Sequence, residues 1–289
     1  MTFSLRGRVR VGITLVALVA ALGAGRALWA HYMDEPWTRD AKVRADIVRV
    51  APDVSGFVSE VLVNDNQTVK KGDILFRIDP ARFTIALEQA EAVVKGRKAT
   101  LDQAQRDIGR YEQIKDKNVV SEQSGEQIRT QGLQAEASYR QALADRDLAA
   151  LNLDRSEVKA PVSGTLTNLS LRPGDFLTAG TAQVALVDAS SLRIEGYFEE
   201  TKLARIAVGA PVSIHLMGQW TPLKGHVESI AAGIEDRERT VGNGLLANIN
   251  PTFSWVRLAQ RVPVRIALGP VPEGVHLVAG LTATVSVQQ

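Results

Sequence analysis

Hydrophobic and polar positions change their rhythm several times along this chain, and each change delimits an element. The first is a predominantly apolar run from Val11 to Ala30, whose 20 residues coiled as a helix match the bilayer hydrocarbon core of about 30 Å. Arg6, Arg8 and Arg10 precede it, which places the N-terminus in the cytoplasm and everything after about residue 31 on the far side. Arg26 lies near the far end, where its long side chain can reach the interface beside Trp29 and Tyr32. A cleaved signal peptide shares the charged start and short apolar stretch, but no convincing small-x-small cleavage site follows directly. A retained anchor over residues 1–31 is therefore the expectation, and either way the body is exported.

Two later segments repeat one another. VAPDVSGFVSEVLVNDNQTVKKGDILFRID from Val50 and VKAPVSGTLTNLSLRPGDFLTAGTAQVALVD from Val158 keep an offset of 108 at Gly56 and Gly164, and again at Gly72 and Gly180. Val58, Val61 and Val63 in one copy, and Leu166, Leu169 and Leu171 in the other, are strand-like apolar positions. Ser55-Gly56, Ser163-Gly164, Lys71-Gly72 and Ala179-Gly180 read as turns, since glycine tolerates the positive φ that other residues resist. The copies, over 46–79 and 156–188, predict two halves of one small β-sandwich.

Between them the period lengthens from two to 3.6. Phe83, Leu87, Ala90, Val94, Leu101, Ala104, Ile108 and Tyr111 form one heptad-like seam, interrupted by Arg97. Ile128, Gly132, Ala135, Tyr139, Ala142, Arg146, Ala149 and Leu153 form a second. Two long helices over 80–155 follow, with Pro80 at the start of one and Ser121 capping the other after an Asn118-Val119-Val120 turn. At 1.5 Å per residue each would extend roughly 50 Å, so the pair predicts a projecting antiparallel coiled-coil hairpin. Gly96, Gly109, Gly125 and Gly132 count against helix by about 1 kcal/mol each, but permit close packing.

After Asp188 strand signals return over 192–198, 212–216, 223–230, 262–268 and 281–287, with a short helix near Glu200–Ile206. A small β-barrel over 189–289, with a strand at 38–46 leading in, fits this count. The stretch from Glu235 to Phe253, rich in Gly and Asn, reads as a loop with little order. The fold class is thus mainly β with a long α-helical hairpin, behind an N-terminal transmembrane helix.

Composition narrows what this fold can do. Aromatic residues make up only 5% and there are three Met, too little for a pocket-rich enzyme core or a base-stacking surface. Binding by large surfaces suits it better. The net charge of +2 comes from scattered Lys and Arg, which leaves no footprint for a nucleic-acid backbone. With no cysteine, disulfides, thiolate catalysis and Cys-ligated metals are excluded.

Candidate chemistry is sparse. His31, His215, His226 and His276 show no ligand spacing, so no metal is expected. Glu199 and Glu200 are adjacent, beside Lys202, and read as a solvated helix start rather than an acid/base pair. Gly242-Asn243-Gly244 lacks the strand-to-helix frame of a phosphate loop. Neither catalysis nor a cofactor is expected.

The order of split sandwich, helical hairpin and barrel resembles the membrane fusion proteins of the HlyD and EmrA type over nearly the whole chain. Within that family it looks most like the AaeA-type subunits of p-hydroxybenzoic acid efflux pumps, through TRDAKVRADIVRVAPDVSGFVSEVLVNDNQTVKKGDILFRID, FEETKL and WVRLAQRVPVRI. The resemblance implies a non-catalytic periplasmic adaptor, single-pass in the inner membrane. It would link an inner-membrane transporter to a TolC-like outer-membrane channel and assemble with further copies in a ring. It further implies that the hairpin tip docks on the channel through an Arg, a Leu and a Ser at fixed spacing, matched here by Arg110, Ile114 and Ser121 with Ile for Leu. Read by spacing alone, these three are equally a solvated helix residue, a seam residue and a cap. Aromatic carboxylic acids are the implied cargo; hydrophobic drugs, as for EmrA-like relatives, and type I protein secretion are alternatives. Lipoyl and biotinyl carriers share the sandwich, but carry a modified lysine in the turn where this chain inserts its hairpin.

Overall fold

The computed structural model describes residues 5–29, 35–114, 121–234, 239–241, 247–249, 259–272 and 274–288. It divides into two compact units, Ile47–Ser190 and a second made of Met1–Asp46 with Ser191–Gln289.

In the first unit, eight strands make two four-stranded sheets. The N-terminal copy contributes β2 (Ile47–Val50), β3 (Gly56–Val61), β4 (Thr68–Val69) and β5 (Ile74–Ile78). The C-terminal copy contributes β6 (Glu157–Lys159), β7 (Gly164–Thr167), β8 (Phe176–Leu177) and β9 (Val184–Asp188). One sheet runs β2-β9-β7-β4 and the other β6-β5-β3-β8. Exchanging equivalent strands of the two copies converts either order into the other. Each sheet therefore takes two strands from each copy, and the halves interleave rather than lie side by side. Between them Leu75, Phe76, Ile78, Leu166 and Leu186 are fully buried. Val63, Leu169 and Leu171 are buried as well, but beyond the ends of β3 and β7, where the chain has already turned.

The period-3.6 insertion forms α2 (Ala81–Ile114) and α3 (Glu122–Asp154). Asp79 Oδ1 accepts the Ala81 N–H at 3.0 Å, capping the start of α2 after Pro80. Phe83 and Tyr111 are the buried residues of α2, and Gly125, Gly132, Ala135 and Ala142 those of α3. The tyrosine lies against Gly125 and the Ile108 side chain against Gly132, so the helices run antiparallel and close together. Small residues on one helix and larger ones on the other thus make the seam.

The second unit holds a closed barrel in the order β1-β10-β15-β12-β11-β16. Its strands are β1 (Trp37–Arg44), β10 (Arg193–Glu199), β11 (Pro211–Leu216), β12 (Leu223–Ile230), β15 (Arg261–Leu268) and β16 (Thr282–Val287). β1, expected as a lead-in, is instead a full stave, hydrogen-bonded to β10 on one side and to β16 on the other. Ile194, Phe198, Ile214, Val227, Val264, Ile266 and Val285 fill the interior. Within the stretch read as a loop, β13 (Arg239–Val241) and β14 (Ala247–Ile249) pair antiparallel; the rest of it lies outside the described residues.

The N-terminal segment forms α1 (Leu5–Trp29), with side chains described from Gly12 to Arg26 and at Trp29. Ile13, Leu15, Val16, Leu18, Val19 and Leu22 are all exposed. Among the described residues no helix is long and apolar enough to cross a membrane.

Candidate docking surfaces

At the far end of the hairpin, Arg110 projects from the last turns of α2, with its guanidinium paired to the Asp107 carboxylate one turn back. Both groups are exposed, so the pair contributes little stability and can exchange partners cheaply. Ile114 closes the same helix, four residues on and on the same side, with 39% of its surface open. Ser121 is the N-cap of α3 (φ −70°, ψ 150°), and its hydroxyl accepts the Ser124 N–H at 3.3 Å. The two serine hydroxyls are 3.0 Å apart. The structure thus sets Arg110 and Ile114 at the end of one helix and Ser121 at the start of the next. The Asn118-Val119-Val120 turn lies outside the described residues. Behind them Tyr111, packed on Gly125, locks the helices together one turn short of the end. Asp107 was legible as an i−3 partner of Arg110; the Tyr111–Gly125 lock required knowing which residues face each other.

At the base, the four repeat glycines divide into two kinds. Gly72 and Gly180 take positive φ, +94° and +78°, in equivalent turns. Gly56 and Gly164 do not; they are the first residues of β3 and β7, where a neighbouring strand comes too close for a Cβ. The serines before them act across the repeat rather than in a local turn. Ser55 Oγ accepts the Ala179 N–H, and Ser163 Oγ accepts the Lys71 N–H, each at 2.9 Å. Each copy's Ser-Gly step therefore fixes the other copy's glycine turn. Lys70 and Lys71 are exposed flanks of that turn.

Charges on the second sheet form a row, in which Arg77 hydrogen-bonds Glu60 and, at 2.9 Å, Glu157. The Glu60 bond first, and the Glu157 bond next, hold the guanidinium pKa above its ordinary value. Where the chain leaves the barrel, Arg193 pairs with Asp46 at 2.8 Å, which raises its pKa in the same sense. Asp188 is held below the usual carboxylate range by the hydroxyl and then the backbone N–H of Ser190. An open groove of about 660 Å³ follows the seam past Gln103, Ala104, Gln131 and Ala135, where small residues leave space between the helices. Among the described residues no three His, Asp or Glu are grouped to hold a metal. The arrangement offers surfaces for protein contact.

Known proteins carry the same organisation. The family model for the RND membrane fusion protein barrel-sandwich hybrid domain matches residues 46–189, and that for the AAEA-like β-barrel domain matches residues 191–288. The uncharacterized protein YdhJ of Escherichia coli (strain K12) is 41% identical over 279 residues, 96% of this chain and 96% of that protein. Among solved structures, the membrane fusion protein Spr0693 from Streptococcus pneumoniae R6 superposes with a TM-score of 0.65 at 18% identity, covering 87% of this chain and 98% of that one. A MacA–MexA chimera containing the Pseudomonas aeruginosa MexA α-hairpin gives 0.57 at 21% identity, covering 88% and 82%. These two establish the fold. With both family models falling on consecutive parts of one chain, and a relative aligned almost end to end, the protein belongs to the membrane fusion protein family, in the group with an AAEA-like barrel.

Proposed function

We propose that this adaptor of the efflux-pump type joins an inner-membrane transporter to a TolC-like outer-membrane channel, in a ring of several copies, for export of aromatic carboxylic acids. The observation that carries the reading is the hairpin tip, with an exposed cation, an apolar side chain and a hydroxyl at the end of a long rigid arm. Arg110 can exchange Asp107 for acceptors at the helix ends of a channel, while Ile114 fills a groove between them. Apolar side chains distributed around α1 without protein cover support an inner-membrane anchor, with the N-terminus in the cytoplasm and the body in the periplasm.

The test is complementation of a strain lacking the adaptor, with its transporter and channel present. The intact chain should restore tolerance to p-hydroxybenzoate, and Arg110→Asp should abolish it without lowering the melting temperature. Full efflux by Arg110→Asp would remove the tip assignment; tolerance restored only to hydrophobic drugs would replace the cargo.

A further inference from the structure

The helical hairpin leaves the sandwich through a single pair of strands. α2 follows β5 and α3 precedes β6, and these two strands are neighbours in the second sheet. A root of one strand pair opposes rotation about its own axis only weakly, so the hairpin's angle depends on what else holds its ends. Two further ties exist, and both fall on the loop Ala51–Ser55, which crosses from β2 of the first sheet to β3 of the second. The Arg82 guanidinium, at the start of α2, donates to the Ser55 carbonyl. The Arg155 guanidinium, at the C-cap of α3, pairs with the Asp53 carboxylate. The side chains of this last pair are 53% and 59% exposed, so it opens at little cost.

The same loop holds a turn of the other copy. The Pro52 carbonyl accepts the Gly180 N–H, and Ser55 Oγ accepts the Ala179 N–H, each at 2.9 Å. The arrangement repeats at the equivalent residues, where the Ala160 carbonyl accepts the Gly72 N–H at 2.8 Å and Ser163 Oγ the Lys71 N–H at 2.9 Å. The hairpin ties break this symmetry. Pro161 stands where Asp53 has its equivalent, and among the described residues no hydrogen bond or ion pair joins 160–163 to either helix. Lys159, just before that loop, pairs with Asp154 at the end of α3, a local contact across the helix-to-strand junction. Since Ala160–Ser163 holds its turn unaided, the fold does not require the hairpin to grip Ala51–Ser55.

We propose that Ala51–Ser55 is a coupler, through which the angle of the hairpin sets the order of the Thr178–Gly180 turn, with Arg82 and Arg155 as the residues by which the hairpin holds it. Turning the hairpin draws on Asp53 and Ser55, and the loop cannot follow without disturbing the Pro52 and Ser55 acceptors of the turn. Arg49, Asp154, Glu157 and Lys159 line the same recess as Asp53 and Arg155 and are unchanged in every variant below. The coupling belongs to the single chain. It rests on the adaptor reading only for the event that turns the hairpin, contact at its tip.

Hydrogen exchange of the full-length protein, followed by mass spectrometry, reads both turns at once. In Arg82→Gln/Arg155→Gln the amides of Ala179 and Gly180 should exchange about three- to tenfold faster, while those of Lys71 and Gly72 keep their rate. The chain's lack of cysteine allows a second arm. Asp53→Cys/Arg155→Cys should show the faster exchange until a short bismaleimide joins the two thiols, which should restore the slow rate. Unchanged exchange at Ala179 and Gly180 overturns the proposal. So does an equal rise at Lys71 and Gly72, which means general loosening, and so does a linked variant that stays fast. Efflux complementation judges the adaptor reading separately, and its failure leaves the exchange result standing.

Discussion

Gly56 and Gly164 stand at equivalent places, yet a methyl group added at each meets different neighbours. At Gly164 it falls well inside van der Waals contact of the Val187 carbonyl oxygen, a backbone atom held in the β7–β9 ladder. At Gly56 it lies 2.6 Å from Ile78 Cγ2, a side-chain methyl that can yield by a few tenths of an ångström more readily than a laddered backbone atom. Gly164→Ala should therefore lower stability by about 3 kcal/mol and Gly56→Ala by about 1 kcal/mol, measured by urea titration of far-UV dichroism. The glycines were visible in the sequence as a constant offset, but the reason for one pair was not, since a close approach belongs to the partner strand. The Ser55 and Ser163 bonds were hidden in the same way, because each joins residues far apart in the chain. Asp188 carries a pH dependence at this scale. Its folded pKa is lowered by Ser190, so its contribution is present above the unfolded value near 3.9 and is lost as the pH falls through the folded pKa. NMR titration should show the Asp188 midpoint moving up toward the ordinary carboxylate value in Ser190→Ala, and the acid limb of unfolding should become shallower.

In the hairpin, periodicity announced both helices and their seams, while the glycines in α3 counted against it on propensity. Opposite Tyr111 and Ile108, Gly125 and Gly132 instead supply the space that lets the backbones approach. Which residues face each other is set by the length of the connection between the helices, and a one-dimensional pattern does not encode it. Gly125→Ala gains about 1 kcal/mol of helix propensity but collides with the Tyr111 ring. The net expectation is a loss of about 1–2 kcal/mol, seen as a lower thermal midpoint, and the same substitution should cost much less when made in a Tyr111→Ala background. The cap can be separated from docking as well. Ser121→Ala should cost about 1 kcal/mol, whereas Ser121→Asp keeps a capping oxygen and so tests the hydroxyl in export alone, by comparing melting with complementation.

For the molecule as a whole, the barrel's five C-terminal staves were readable as β-rich runs bounded by turns, while the sixth was not assigned to the ring. β1 stands about 150 residues before β10, and only closure reveals that it completes the ring between β10 and β16. Truncation after Gly280 removes β16 and leaves both β1 and β11 with an unpaired edge. Such a chain should lose the barrel but retain a protease-resistant core covering 47–190, identified by mass spectrometry of limited digests.

Membership of β1 and β16 in one ring also dictates an order of events during synthesis. The ring cannot close until its last stave has been made, and the sandwich waits for β9, while the helical arm needs only its own neighbours in sequence. Local structure is therefore available early, and the longest-range pairings come last. A chain synthesised from its N-terminus keeps its barrel edges open until β16 has been made. Its final few residues, rather than its first, commit it to the folded state.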